Sequence, residues 1–263
     1  MVAAKALAKL GAEVIIVGRN PDKTARVALE MKQETGVDNV DTMIADFADL
    51  DQIRALAEGF NSRYQCLDVL LNNAGTFFNR RNETPYGIEA TLLVNHLAPF
   101  LLTNLLMEPL KASESARIIN VSSEAHRYDK MDFDNLGFSK GYFGIKAYAR
   151  SKLANILFTY ELDRRLKGSK ITVNALHPGE VATDIWKTNF PVIGPALKWF
   201  MSLTSLTPEE GADNSIYAAT SPDLTKTTGK YFVKRDAVPS SEISYSKDVA
   251  KKLWDISTEM ANI

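Results

Sequence analysis

The amino-acid order predicts a doubly wound α/β fold on a parallel sheet. Three observations predict it. Short β-branched runs alternate along the chain with helix-length stretches. Those stretches are long enough for right-handed crossovers between parallel strands. Small and polar residues follow the runs, where such a sheet gathers its ligand-binding loops.

In chain order, the opening MVAAKALAKLG reads as a short amphipathic helix. Lys5 and Lys9 lie inside its apolar stretch and no small-residue cleavage site follows, which argues against a secretory signal. Val14 to Val17 is the first strand, followed by a helix over Asp22 to Glu34. Thr42 to Ala45 and the helix Asp49 to Tyr64 form the next pair. Val69 to Leu71 is the third strand, and Gly87 to Leu110 the helix after it. That helix is apolar from Thr91, yet Asn95, His96, Thr103, Asn104 and Glu108 interrupt it, so it reads as a core helix and no membrane span is expected. Strand Ile118 to Val121 precedes an irregular stretch, Glu124 to Ile145. Its glycines, Gly137, Gly141 and Gly144, imitate a phosphate loop, but Gly137 stands sixteen residues beyond Val121. A phosphate loop leaves a strand and opens a helix directly, so a surface excursion is expected. A helix over Tyr148 to Leu166 and strand Ile171 to Ala175 follow. The second irregular stretch, Trp186 to Leu206, groups Trp186, Phe190, Trp199, Phe200 and Met201 around Pro191, Gly194 and Pro195. It reads as a helix hairpin over the sheet end or as an apolar wall for a lipophilic substrate. Helix Pro208 to Ala219 and strand Tyr231 to Val233 complete the pattern. No Pro-, Gly- or Ser-rich linker and no repeat of 20 to 50 residues divides the chain, so residues 1–263 are assigned to one domain.

Composition narrows the partners. The 263 residues carry 31 Lys and Arg against 32 Asp and Glu, a formal charge of -1. Attraction to phosphate backbones or anionic lipid scales with clustered cations, so nucleic acid is not an expected partner. One cysteine, Cys66, forms neither an internal disulfide nor a zinc site, which fits a cytoplasmic setting.

The chemistry is written at the carboxyl ends of the strands. Val14 to Val17 runs into Gly18, Arg19 and Asn20, where a ribose 2′-hydroxyl would call for a carboxylate. A guanidinium there suits a 2′-phosphate instead, so Arg19 points to NADP(H); as a solvated turn residue it would also be ordinary. Asp46 is placed to accept from an adenine amino group or to serve a plain turn. In Asn72-Asn73-Ala74-Gly75 small residues admit close backbone approach. Ser122 and Ser123 end the fourth strand, and Tyr148-Ala149-Arg150-Ser151-Lys152 puts a phenol and an ammonium four residues apart on one helix face. A phenol near pKa 10 is a poor base at neutral pH, and an adjacent ammonium favours its anion. A serine hydroxyl nearby would polarise the same substrate oxygen. His96 and His126 lack a matching carboxylate and nucleophile, and read as structural.

Asn72 to Gly75, Asn95, Ser123, Tyr148, Lys152, the turn His177-Pro178-Gly179 and Thr183 resemble, in order and spacing, the short-chain dehydrogenase/reductase family. Val94-Asn95-His96 before Phe100-Leu101-Leu102-Thr103, the long insertion before Tyr148, Ser151-Lys152-Leu153-Ala154-Asn155 and Thr228-Gly229-Lys230-Tyr231-Phe232 look like its retinol-dehydrogenase-like branch. The resemblance spans nearly the whole chain. It implies Tyr148 as catalytic acid/base, Lys152 as its partner and ribose anchor, Ser123 as oxyanion donor and Asn95 as holder of a proton-relay water. It further implies that Pro178, Gly179, Val181 and Thr183 bracket the nicotinamide carboxamide, that Asp46, Asn73 and Ala74 line the adenosine half, and that Gly75 is among the cofactor-binding residues. Ser123 rather than Ser122 is expected at the substrate, because successive strand side chains alternate in direction.

The family's first strand and its loop Thr-Gly-x-x-x-Gly-x-Gly have no counterpart in these residues. Met1 to Leu10 resembles the second half of the helix that follows the loop, so the chain is expected to be truncated, starting about two dozen residues late against the family pattern. The strand in question is central, and an open slot is expected between Val14 to Val17 and Val69 to Leu71. Two functions follow as expectations. One is an NADP(H)-dependent oxidoreductase, an alcohol dehydrogenase or carbonyl reductase interconverting a lipophilic alcohol and its aldehyde or ketone, with self-association into a homo-oligomer left open. The other is a non-catalytic product of the same fold acting as a binding protein.

Overall fold

A computed structural model describes residues 1–179 and 207–263. Val181, Thr183 and the apolar stretch Trp186 to Leu206 lie outside the described residues. Helix α1 is Val2–Lys9, and β1 is Val14–Gly18. Pro21–Thr35 forms α2, opened by the Asn20 side chain accepting from the Lys23 amide and closed by left-handed Gly36. β2 is Val40–Ile44, and α3, Leu50–Arg63, is capped by Asp49. After β3, Val69–Asn72, residues 90–105 form helix α4, whose turn Leu93–Leu97 widens to π geometry. Pro99 lies two residues beyond it and cannot donate to the Asn95 carbonyl four residues back. Met107–Ala112 is α5 and Arg117–Val121 is β4. Gly144–Arg165 forms α6, Thr172–His177 β5, Pro208–Thr220 α7, Tyr231–Val233 β6, Asp236–Val238 β7 and Lys247–Ala261 α8.

The strands make two sheets rather than one. β1 pairs with β2 in parallel, and β3-β4-β5-β6-β7 form the second sheet, parallel except for the β6-β7 hairpin. Among the described residues no strand joins β1 to β3, the place where the sequence predicts a slot. Backbone direction alternates along each strand. The Val14 amide donates to Asn39 and the Gly18 carbonyl accepts from Ala45, which turns Val14, Ile16 and Gly18 toward β2 and the backbone of Ile15 and Val17 toward β3. The Asp68 carbonyl accepts from Arg117, so Leu70 and Asn72 address β4 while Val69 and Leu71 face β1.

Side chains span that interval on both faces. On one, Ile15, Met43 and Ala45 join Leu70 and Ile118 in a core with Ile53, Phe60, Leu93 and Leu97. On the other, α1 straddles the sheets. Ala8 packs with Met31 and Val40, with Ala4, Val14 and Ile16 against them, and Leu7 reaches the cluster of Ile119, Leu176 and Ala218 beside Val69 and Leu71. Helix α8, which the strand-and-helix alternation does not announce, lays Ala250 and Leu253 on Leu153, Ala154 and Leu157 of α6. Its Trp254 meets the rings of Phe100 and Phe158.

Two helix boundaries differ notably from the sequence reading. Helix α6 begins at Gly144, four residues before Tyr148, because the missing Cβ lets the helix start abut residues 77–79. A Cβ at Gly144 would collide with the Phe78 carbonyl oxygen and stand 3.1 Å from Asn79 Cα. The apolar stretch through Leu110 divides at Leu106 into α4 and α5. The excursion Glu124 to Ile145 is held down by buried Arg150, which bonds Asp129 and the Asn135 carbonyl and lies 3.8 Å above the Phe138 ring centroid. No helix among the described residues is long and apolar enough to cross a membrane.

Candidate active site

Four segments converge at the carboxyl ends of β3 and β4. Helix α4 brings Asn95, β4 brings Ser123, α6 brings Tyr148 and Lys152, and the turn after β3 brings Gly75. Asn95 is 0% exposed. Its Oδ1 accepts from the Thr76 amide at 2.7 Å, and its Nδ2 donates to the Thr76 carbonyl at 3.0 Å and to Ser151 Oγ at 2.9 Å. The Ser151 hydroxyl in turn donates to the Tyr148 carbonyl. Thus Asn95 ties the β3 turn to the first turns of α6. The π-turn, which shifts side-chain positions relative to an α-helix, is what carries it there. Thr76 and Ser151 were not singled out as site residues in the sequence, since a backbone partner leaves no sequence signature. Ser151 did carry a signal, lying three residues after Tyr148 on the same helix face.

The two serines separate as strand alternation requires. Ser122 is buried and donates to the Lys152 carbonyl at 2.7 Å. The Ser123 hydroxyl lies on the Tyr148 side of the strand end, where it favours the phenol's anion. The Ser123 oxygen also accepts from the Ala125 amide at 3.2 Å, which occupies a lone pair and leaves the hydroxyl proton for donation. Phe77 stands edge-on to the Tyr148 ring at 6.1 Å between centroids.

Lys152 is 3% exposed. Its Nζ donates to the Val121 carbonyl at 3.1 Å and lies 5.5 Å from the Tyr148 ring centroid. Burial dominates the ionisation of both groups. It pushes the Tyr148 phenol up to about 12, with the Ser123 hydrogen bond opposing, and the Lys152 ammonium down to about 8. The expected lowering of the phenol by its neighbouring ammonium does not appear in this structure, where loss of water is the larger effect on each group.

A small residue borders these groups. A Cβ at Gly75 would stand 3.5 Å from both Lys152 Nζ and Asn95 Oδ1, so the absent side chain keeps the ammonium face open. The Val121 carbonyl uses one of the ammonium's three N–H donors. Pro178 and Gly179, the latter with φ 93°, follow β5 and are half-buried. Farther along the strand ends, Asn73 and Ala74 are exposed and Arg19 is exposed after β1. Asp46 is half-buried, and its Oδ1 accepts from the Ala48 amide, so it also serves its own turn. Among the described residues no glycine-rich turn links β1 or β3 to a helix N-terminus, so no residue here is assigned to a pyrophosphate.

Comparison with known proteins agrees with this architecture. Residues 2–192 match the short chain dehydrogenase family. Human polyprenol dehydrogenase is 40% identical, with 99% of this chain and 81% of that protein covered. Human retinol dehydrogenase 11 is 39% identical over the same shares of the two chains, and mouse retinol dehydrogenase 14 is 40% identical over 98% of this chain and 80% of that one. A crystal structure of an uncharacterised protein from Mycobacterium Paratuberculosis superposes with a TM-score of 0.80 at 30% identity, covering 99% and 88% of the two chains. A short chain dehydrogenase from Escherichia coli CFT073, solved with NADPH, gives 0.69 at 26% identity over 89% and 90%.

Proposed function

The chain belongs to the short-chain dehydrogenase family, in its retinol-dehydrogenase-like branch, and on that premise we propose that it interconverts a lipophilic alcohol and its carbonyl form with NADP(H). The observation that carries this reading is buried Lys152 standing 5.5 Å from the Tyr148 ring centroid, with Ser123 just beyond the adjoining end of β4. This assembled set favours an enzyme over a non-catalytic binder of the same fold.

In this reading Lys152 and Tyr148 hold the nicotinamide ribose, Gly75, Pro178 and Gly179 bound its ring, and Asn73, Ala74, Asp46 and Arg19 lie toward the adenosine. Val181 and Thr183 are assigned to the carboxamide by family pattern alone. When bound, NADPH supplies the hydride that reduces the carbonyl carbon. The chain's own task is the oxygen. Ser123, with its acceptor side taken by the Ala125 amide, donates to the substrate oxygen and fixes it beside Tyr148. Tyr148 passes its proton to that oxygen as it becomes an alcohol, and Lys152 stabilises the phenolate left behind. Asn95 keeps Thr76 and α6 in register for this transfer. The lipophilic substrate class is supported by relatives named for polyprenol and retinol and by the aromatic stretch Trp186 to Met201. NADP(H) is supported by Arg19 and by the absence of a carboxylate at the end of β1.

The test is NADPH oxidation with retinaldehyde as substrate, for the parent and for Tyr148→Phe. Loss of a positioned proton donor costs about 10²- to 10⁴-fold in turnover, with cofactor affinity nearly unchanged. More than half the parent rate in the variant would reject the role.

A further inference from the structure

His126 is 0% exposed and lies within the 3-10 turn Glu124–Arg127, three residues after Ser123. Its two ring nitrogens have partners of opposite kind. The Ser241 backbone amide donates to Nε2 at 3.0 Å, so Nε2 bears a lone pair. Nδ1 faces the Ser123 carbonyl oxygen at 2.7 Å, an acceptor, so Nδ1 bears the proton. The surroundings therefore select one neutral tautomer. The same Ser123 carbonyl accepts the backbone amide of His126 at 3.0 Å, so two donors fix the peptide plane that leads out of Ser123.

That plane sets the direction of the next amides, among them Ala125, whose N–H meets the Ser123 oxygen. The clamp is anchored in turn. Tyr231 closes over the imidazole edge-on at 5.0 Å, and its hydroxyl donates to Glu124. Arg127 reaches the Pro239 carbonyl, and Ser240, beside Ser241, bonds the hydroxyl of Tyr160, twelve residues after Tyr148 on α6. Ser123, His126, residues 239–241 and α6 thus form a closed ring of contacts around the oxyanion donor.

We propose that His126 is a positioning residue, which, as its neutral Nδ1–H tautomer, holds the Ser123 hydroxyl against the substrate oxygen through the Ser123 carbonyl. The role rests on the reading of Ser123 given above.

Side-chain amides separate the two nitrogens. In His126→Asn the amide occupies the Nδ1 place and restores a donor to the Ser123 carbonyl. In His126→Gln it occupies the Nε2 place, keeping the Ser241 contact without that donor. With retinaldehyde and NADPH, Asn should retain kcat within about threefold, whereas Gln should lose about ten- to a hundredfold in kcat with KM little changed, the scale of a misplaced catalytic group. A merely structural histidine would instead show losses that track melting temperature in both variants, and that pattern overturns the proposal. Independently of activity, nitrogen NMR of histidine-labelled parent protein should show the protonated nitrogen of His126 as Nδ1; an Nε2–H signature overturns it whether or not any variant folds. Ser123→Ala distinguishes the two levels. Undiminished turnover there rejects the reading of the site and the proposal with it, while loss there with full activity in His126→Gln rejects the proposal alone.

Discussion

Replacing Lys152 by methionine should stabilise the free protein while abolishing its turnover. The ammonium lies at 3% exposure with the Val121 carbonyl as acceptor, and burial brings it down to about 8 from an ordinary 10.5. That difference corresponds to roughly 3 kcal/mol by which the charged form is disfavoured in the folded state. Methionine has a similar unbranched stem and no charge to desolvate, and Asn155 Nδ2 still donates to the Val121 carbonyl at 3.2 Å. At pH 7 lysine is charged in both states, so the whole penalty acts. Between about 8 and 10.5 the unfolded chain binds the proton and the folded chain does not, so parental stability rises with pH across that window. The variant lacks this titration. Its advantage should be about 2 to 3 kcal/mol at pH 7 and should shrink toward zero near pH 10.5. Guanidinium unfolding of both proteins at pH 7, 8.5 and 10 measures it, with slopes compared to verify that the same surface is exposed. Other titrating groups are common to both proteins and cancel in the difference. A difference that does not change between pH 7 and 10, or a variant less stable than the parent at pH 7, would refute the reasoning.

Two further expectations concern binding and packing. Arg19→Ala should narrow a preference for NADPH over NADH by about ten- to a hundredfold, the worth of one charge-assisted hydrogen bond, as read from dissociation constants of both cofactors. A parent that binds NADH more tightly would reject the assignment. Gly144→Ala should cost about 1 to 3 kcal/mol of stability and slow turnover, since the added methyl must displace Phe78 and with it Phe77 at the Tyr148 ring. Thermal melts and kcat read both, and a variant matching the parent in each would show that residues 77–79 yield freely.

Much of the site was legible because its determinants are local. Tyr148 and Lys152 share a helix face by spacing, and Ser122 and Ser123 diverge by strand alternation. The interval between β1 and β3 followed from motif order. What escaped has non-local causes. The start of α6 abuts the Phe78 carbonyl across the molecule, and Asn95 is held by a backbone that any residue but proline at position 76 would offer. The phenol's ionisation escaped because spacing reports the neighbouring charge but not the loss of water, which here acts more strongly. Helix α8 was legible in principle, with Ser246 as cap and Val249, Ala250, Leu253 and Trp254 at helical spacing, but it lies beyond the last strand and outside the alternation used to read the rest.

The interval between β1 and β3 has a mechanical consequence. Cooperativity in a sheet passes largely through its ladders, and among the described residues β1 and β2 share no ladder with β3 to β7; side chains such as Leu7, Ile15 and Met43 are their link to it. Packing of those side chains, more than backbone pairing, therefore joins β1 and β2 to the sheet that carries Ser123 and Tyr148.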